Sequence, residues 1–210
     1  MGVLLEVRQL AFCRGGIPVF PPVDFVLNAG ESIRVVGPNG SGKTSLLRLL
    51  SGLSRPDGGT ILWQQKSVFK SLLDFYKNIV FLGHDLGLKQ QLTAWENLQL
   101  SLSLWGAVAS KSSVSAVLER LDLGGLINRP VMKMSAGQKR RVSLARLELL
   151  SHRQLWILDE PFTSLDSVTV EYLIRLLRTH IDSGGLLIFT THQDVDSISS
   201  VKTLELGVTC

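Results

Sequence analysis

Apolar and polar positions along this 210-residue chain change rhythm several times, and each change predicts an element. "VLLEVRQLAF" and "VDFVLNAGESIRVVG" carry short apolar runs divided by turn residues, the rhythm of strands. "SIRVVG" ends at Gly37, and "KTSLLRLLSGL" then spaces its leucines along one face of a helix. "GGTILW" and "NIVFLG" predict further short strands. "LWILDE" and "LLIFTTH" are apolar runs bounded by polar residues, the pattern of parallel strands covered on both faces. Between them, "SVTVEYLIRLLRTHIDSGG" predicts a helix closed by glycines. Strand, helix and strand alternate, which predicts an α/β core.

Residues 88–150 lack such strand runs and read as an inserted helical subdomain, leaving 1–87 and 151–210 as the α/β core. One stretch resists. "NLQLSLSL" (Asn97 to Leu104) alternates as a strand would, yet Leu98, Leu102, Trp105 and Ala109 keep helical spacing. Periodicity alone leaves both readings open.

Composition changes this picture only by exclusion. Hydrophobic residues at 45% and charged residues at 19% describe a globular protein rather than a disordered one. The net charge of +4 suits phosphate ligands or an anionic membrane surface and is too mild to argue for nucleic acid. Cys13 and Cys210 have neither metal spacing nor a disulfide framework, which suits a reducing, cytosolic setting. "MGVLLEVRQL" is charged too early for a secretory signal, and no run reaches the roughly 18 apolar residues of a spanning helix. A membrane partner stays open.

Candidate chemistry sits at four places. Gly37, Gly42, Lys43 and Thr44 fill the pattern G-x-x-x-x-G-K-[ST], between a predicted strand and a predicted helix, which is the context the motif demands. Across Gly37-Pro38-Asn39-Gly40-Ser41-Gly42 the glycines let backbone N–H groups crowd around a β-phosphate. Lys43 then neutralises the β- and γ-phosphates, and the Thr44 hydroxyl binds Mg²⁺. An accidental glycine turn ahead of a core helix is the alternative, and the context makes it rare. At the end of "LWILDE", Asp159 has the position to hold Mg²⁺, directly or through water. Glu160, next in line, can orient or deprotonate an attacking water, although a solvated strand-end charge is the plainer reading of such a residue alone. His192, past "LLIFTT", can donate to γ-phosphate oxygens or be structural. Finally, Ser135-Ala136-Gly137 opens a basic, helix-favouring segment, the form of a second phosphate-binding helix start. Arg140 and Arg141 read more readily as solvated or salt-bridged surface than as added field.

The order "GPNGSGKT", "MSAGQ", "LWILDEP", "SLD", "TTH" resembles the ATP-binding subunit of ABC transporters over nearly the whole chain. The resemblance implies an α/β P-loop NTPase fold of ABC type, with a RecA-like core, an N-terminal antiparallel β subdomain and the inserted helical subdomain. It favours the helix for "NLQLSLSL". It implies ATP and Mg²⁺ as cofactors, with Lys43, Glu160 and His192 as the catalytic set. It also implies a head-to-tail dimer in which Ser135, Ala136, Gly137 and Gln138 bind the γ-phosphate of the ATP held by the other subunit's Gly37–Thr44 loop. Ser164-Leu165-Asp166 resembles the loop through which the two subunits communicate.

Two positions depart from the common pattern: Ala136 stands where most members have Gly, and His84, in "FLGHDLGL", stands where most have Gln contacting Mg²⁺. No convincing aromatic presents itself for adenine, Phe12 being near the right place. A narrower resemblance, carried by "GLSRPDGGTILW", "FLGHDLGLKQQLTAWENL", "MSAGQKRRVSLARL" and "LWILDEPFTSLD", is to the haem exporter ATP-binding proteins of bacterial cytochrome c biogenesis, the CcmA family, in which both departures are usual. That resemblance implies integral membrane transporter subunits as partners, haem met only indirectly, no nucleic acid, and a peripheral place on the cytoplasmic side of the bacterial inner membrane. "WENLQLSLSLWGAVA" is either a docking face for such a subunit or ordinary core.

Overall fold

The predicted rhythm changes become elements in the computed structural model, which describes residues 3–193, 198 and 201–207. The first apolar run forms β1 (Val3–Ala11), followed by the short hairpin strands β2 (Cys13–Arg14) and β3 (Ile17–Pro18), then β4 (Val23–Asn28) and β5 (Ser32–Val36). Helix α1 (Lys43–Leu50) follows the glycine loop, and β6 (Gly58–Trp63), β7 (Lys66–Ser67), α2 (Leu72–Tyr76) and β8 (Ile79–Leu82) come next. Helices α3 (Ala94–Leu104), α4 (Lys111–Arg120) and α5 (Ala136–Leu149) then succeed one another without a named strand between them. The chain returns through β9 (Leu155–Leu158), α6 (Ser167–Asp182), β10 (Leu186–Thr190) and β11 (Val201–Glu205).

A four-stranded sheet in the order β4-β1-β6-β7 is antiparallel throughout. A five-stranded sheet in the order β11-β5-β10-β9-β8 is parallel throughout. Strand β9 shows why its sequence is continuously apolar. Leu155 and Ile157 enter the core shared with β1 and α1, whereas Trp156 and Leu158 enter the core beneath α5 and α6. Each such side chain taken fully out of water stabilises the fold by about 1.5–3 kcal/mol. A third cluster, with Ala94, Leu98, Val114, Leu118 and Val142, binds α3, α4 and α5 to one another.

"NLQLSLSL" is helical, as the resemblance implied. Thr93 and Glu96 form a reciprocal cap at the start of α3, and Leu98 and Leu102 are buried. The strand-like alternation arises because Leu100 and Leu104 lie on the wet side, Leu104 being 80% exposed.

Parallel pairing has one consequence for function. All strand ends of one sense reach the same edge, so β5 delivers Gly37, β9 delivers Asp159 and Glu160, β10 delivers Thr191 and His192, and β8 delivers His84 to one rim.

Candidate nucleotide site

Helix α1 begins without a side-chain cap. Its N-cap is Gly42 at φ 92°, a left-handed conformation in which a Cβ would also lie 2.6 Å from Val19 Cγ1. Leu46 N–H donates the first intrahelical bond, to Gly42 O at 2.8 Å, so the amides of the first turn stay outside the helix's own ladder. At Gly37 (φ 152°) a Cβ would lie 2.6 Å from Leu206 O and 2.7 Å from Ser41 Oγ, so the loop closes over its own buried serine. Lys43 Nζ donates to Gly37 O (2.8 Å) and Pro38 O (3.1 Å).

Side chains from three elements then form one chain of hydrogen bonds. Thr44 Oγ1 donates to Asp159 Oδ2 at 2.8 Å, and Thr190 Oγ1 donates to Asp159 Oδ1 at 2.7 Å. Thr190 Oγ1 also accepts from the Glu160 N–H at 2.9 Å. Asp159 is only 3% exposed, so these hydroxyls replace the water its carboxylate has lost. Glu160 adopts φ 50°, and its Oε1 is buried with no hydrogen-bond partner among the described residues. His192 Nε2 lies 3.5 Å from that oxygen, on a side chain that is 66% exposed.

A cavity of about 840 Å³ opens over this chain. Asn39, Gly40, Gly42, Lys43, Thr44, His84, Asp159, Glu160 and His192 line it. Gly37 lines an adjoining cavity of about 450 Å³ with Lys43 and His192. Pro38 and Ser41 shape the loop without lining either space. Thr44 Oγ1 and Asp159 Oδ2 are hard oxygen donors already converging on one point, and so fit a Mg²⁺ ion that completes its shell with phosphate and water.

The sequence reading missed Arg14, Val19, Ser45, Arg48 and Thr163, which also line the main cavity. Arg14 and Val19 come from the hairpin of β2 and β3, which no motif marks. Phe12 is partly buried against the core.

The second helix start lies outside the main cavity. Ser135 caps α5 reciprocally: Gln138 N–H donates to Ser135 Oγ (3.2 Å), and Ser135 N–H donates to Gln138 Oε1 (3.0 Å). Ser135, Ala136, Gly137 and Gln138 do not line the main cavity. Ala136 lines an adjoining space of about 270 Å³ with Arg140 and Ser164, and His84 and Glu160 belong to both this space and the main cavity.

Arg140 corrects the surface reading. It is 6% exposed, and its guanidinium donates to Asp159 O (3.2 Å), Pro161 O (3.3 Å) and Glu160 O. Burial pushes its pKa down, and the carboxylates of Asp159 and Glu160 offset part of that fall. Arg141 is salt-bridged as expected, 3.3 Å from Asp122 and 4.0 Å from Asp166. Asp166 in turn caps α6, accepting from Thr169 N–H at 2.8 Å.

With this geometry in view, similarity to known proteins is informative. A family model described as ABC transporter matches residues 20–163. A cytochrome c biogenesis ATP-binding export protein CcmA from Vibrio vulnificus (strain YJ016) is 42% identical over 205 residues, 97% of this chain and 100% of the relative. Among solved structures, an ATP-binding subunit of an ABC transporter matches with a TM-score of 0.79 and 26% identity, covering 90% of this chain and 80% of that one. A dimeric ATP-binding cassette in a post-hydrolysis state, bound to ADP and Pi, shares the fold at a TM-score of 0.82 and 23% identity, covering 97% and 96%.

Fold and site together define an ABC-type P-loop ATPase, and the chain belongs to the ABC transporter ATP-binding family. Within that family it belongs with the CcmA ATP-binding export proteins of cytochrome c biogenesis.

Proposed function

We propose that this chain is the ATP-hydrolysing subunit of a haem exporter complex, coupling ATP hydrolysis to haem release or export during cytochrome c biogenesis. The ATPase half is carried by the hydrogen-bonded chain from Thr44 through Asp159 and Thr190 to the Glu160 N–H, at the mouth of the phosphate loop, and the haem half by the 42% identity to a CcmA export protein. The hydrogen bonds join the groups that hold a nucleotide to the group that acts on water.

In this mechanism the Gly37–Thr44 loop receives the phosphates, on free amides at the positive end of α1. Thr44 and Asp159 would hold Mg²⁺, which supplies charge against the phosphate oxygens. Glu160, whose buried Oε1 has no hydrogen-bond partner and faces His192 Nε2 at 3.5 Å, orients the attacking water. His192 steadies the γ-phosphate, and Lys43 leaves its carbonyl partners for the phosphate oxygens. His84, on the cavity wall, stands beside the reacting end. Ser135–Gln138 meet the nucleotide of a second copy, arranged head to tail. Their place outside their own cavity supports this use in trans. Positioning and charge, rather than covalent chemistry, do the work.

The partners are integral membrane transporter subunits, haem is met only through them, and nucleic acid has no role. Among the described residues no helix is long and apolar enough to cross a membrane, which suits a peripheral place on the cytoplasmic side of the inner membrane. Leu100, Leu104 and Val108, exposed along and just after α3, are the face offered to a membrane subunit. The organisation we assign is one ATP-binding domain, with residues 88–150 as its helical subdomain carrying the signature.

Glu160→Gln tests the proposal. The variant should bind ATP, fail to turn it over and hold the closed dimer, and gentle solubilisation of membranes with ATP should bring haem-handling membrane subunits with it. Recovery of a different permease would cancel the haem assignment and keep the ATPase. A purely soluble partner would overturn both the transporter and the haem readings.

A further inference from the structure

We infer that Arg140 is a positioning residue for the hydrolytic step, fixing the backbone from which Glu160 projects and so making the first turns of α5 part of their own subunit's catalytic site. This inference rests on Glu160 acting on the attacking water, as proposed above.

Glu160 takes a left-handed conformation although it is not glycine. An L-residue holds such a backbone only where the surroundings over-determine it. Here its N–H donates to Thr190 Oγ1 and its carbonyl accepts from Arg140. Both sides of the residue are therefore tied, by groups on two different elements. Arg140 also donates to the carbonyls immediately before and after, at Asp159 and Pro161. A planar guanidinium can span such a set with preorganised donors, which an ammonium cannot match.

Burial argues the same way. A guanidinium this far from water is tolerated when its donors are used and acceptors surround it. The neighbouring carboxylates of Asp159 and Glu160 supply compensating charge.

Further contacts bind the same segment to α5. At Gly137 a Cβ would stand 3.0 Å from Ser164 O, so the helix start lies directly against the loop beyond Glu160. Arg141 lies 4.0 Å from Asp166 at the far end of that loop. The stretch from Asp159 to Asp166 is thus held along its length by one helix, whose N-terminus carries Ser135–Gln138. A shift of α5 displaces the Glu160 backbone, and Arg140 is the rigid link between them.

The test compares Arg140→Met, Arg140→Lys and Glu160→Gln in the full chain within its membrane complex. ATP turnover is measured against ATP concentration, affinity with trinitrophenyl-ATP, and stability by thermal unfolding. Arg140→Met should lower kcat by about a hundredfold, the cost of misplacing a reacting group by about 1 Å, with KM and nucleotide affinity within about threefold. Arg140→Lys should recover part of that loss, standing about tenfold below wild type because an ammonium cannot serve every carbonyl.

Wild-type kcat in a folded methionine variant overturns the inference. So does a parallel fall of kcat, nucleotide affinity and thermal stability that lysine does not restore, which is the signature of packing alone. Should the methionine variant not fold, the lysine variant decides: a lowered kcat at unchanged affinity supports the clamp, and wild-type kcat overturns it. Glu160→Gln separates the two levels. If it retains turnover, the hydrolytic reading itself fails; if it is inactive while Arg140→Met is fully active, only the clamp fails.

Discussion

The protein presents two helix starts suited to anions, at α1 and α5, and they are built in opposite ways. Helix α1 begins at a left-handed glycine with no side-chain cap. Helix α5 begins at Ser135, which shares a reciprocal cap with Gln138. An uncapped start leaves its amides for a ligand and depends on that ligand, on water or on its surroundings to satisfy them. The reciprocal cap uses the Ser135 and Gln138 N–H groups and fixes the turn, leaving the amides of Ala136 and Gly137 outside the cap for a ligand held elsewhere. The difference fits the division of labour proposed above, in which α1 serves a nucleotide inside its own subunit and α5 meets that of a second copy. Arg140 then ties α5 back to Glu160.

The largest break in this comparison is at α1. Lys43→Ala removes the mobile charge of the uncapped site and should lower turnover at least a hundredfold, on the order of what loss of one preorganised charge-stabilising donor costs. Phosphate release at saturating ATP measures it, and wild-type turnover would sink the assignment.

Acid sharpens the comparison by acting on one side of the sheet only, the core beneath α5 and α6. His180 stacks on Trp156 with ring centroids 3.8 Å apart and planes 4° apart, its Nε2 3.1 Å from Leu186 O. Burial pushes its pKa down from 6.5 to about 4, with hydrogen bonds to backbone carbonyls offsetting part of the shift. The unfolded chain therefore takes up a proton below about pH 6.5 that the folded chain refuses until about pH 4. The resulting stability is present above that window and lost as pH falls through it, by up to about 3 kcal/mol. Urea unfolding at about pH 7.5 and pH 5 reads this loss, and His180→Phe should flatten the difference. An unchanged slope in that variant would assign the acid sensitivity to other groups.

The smallest effect belongs to the capped start. Ser135→Ala should cost about 1 kcal/mol of stability, the usual worth of such a cap, and weaken ATP-driven dimerisation while leaving nucleotide binding to the isolated subunit unchanged. Equilibrium unfolding and sedimentation with ATP separate the two. Weakened ATP binding by the isolated subunit would place the serine in its own site and erase the contrast.

Much of this was legible in the chain. The glycine-lysine-threonine loop, the Asp159–Glu160 strand end and the apolar strands around them are local patterns, and local patterns survive in sequence. Resemblance decided "NLQLSLSL" where periodicity could not, because exposed Leu100 and Leu104 dilute the helical stripe. The hairpin carrying Arg14 and Val19 was not legible, since a two-residue strand has no rhythm. Nor was Arg140, whose neighbour Arg141 has the same type and pairs at the surface.

Sequence by itself determined where the candidate chemistry lies along the chain: which loops have the form of phosphate loops, which strands are buried, which residues stand at strand ends. These follow from backbone geometry and apolar spacing within a few residues. Only the tertiary structure decided which charges leave water. Arg140 reaches the carbonyls of Asp159, Glu160 and Pro161, Arg146 reaches Leu86 O, and Arg153 reaches Tyr76 O and Trp105 O, all distant in sequence. An arginine reads alike whether solvated or clamped. What distinguishes the two is which carbonyls the rest of the fold brings within reach.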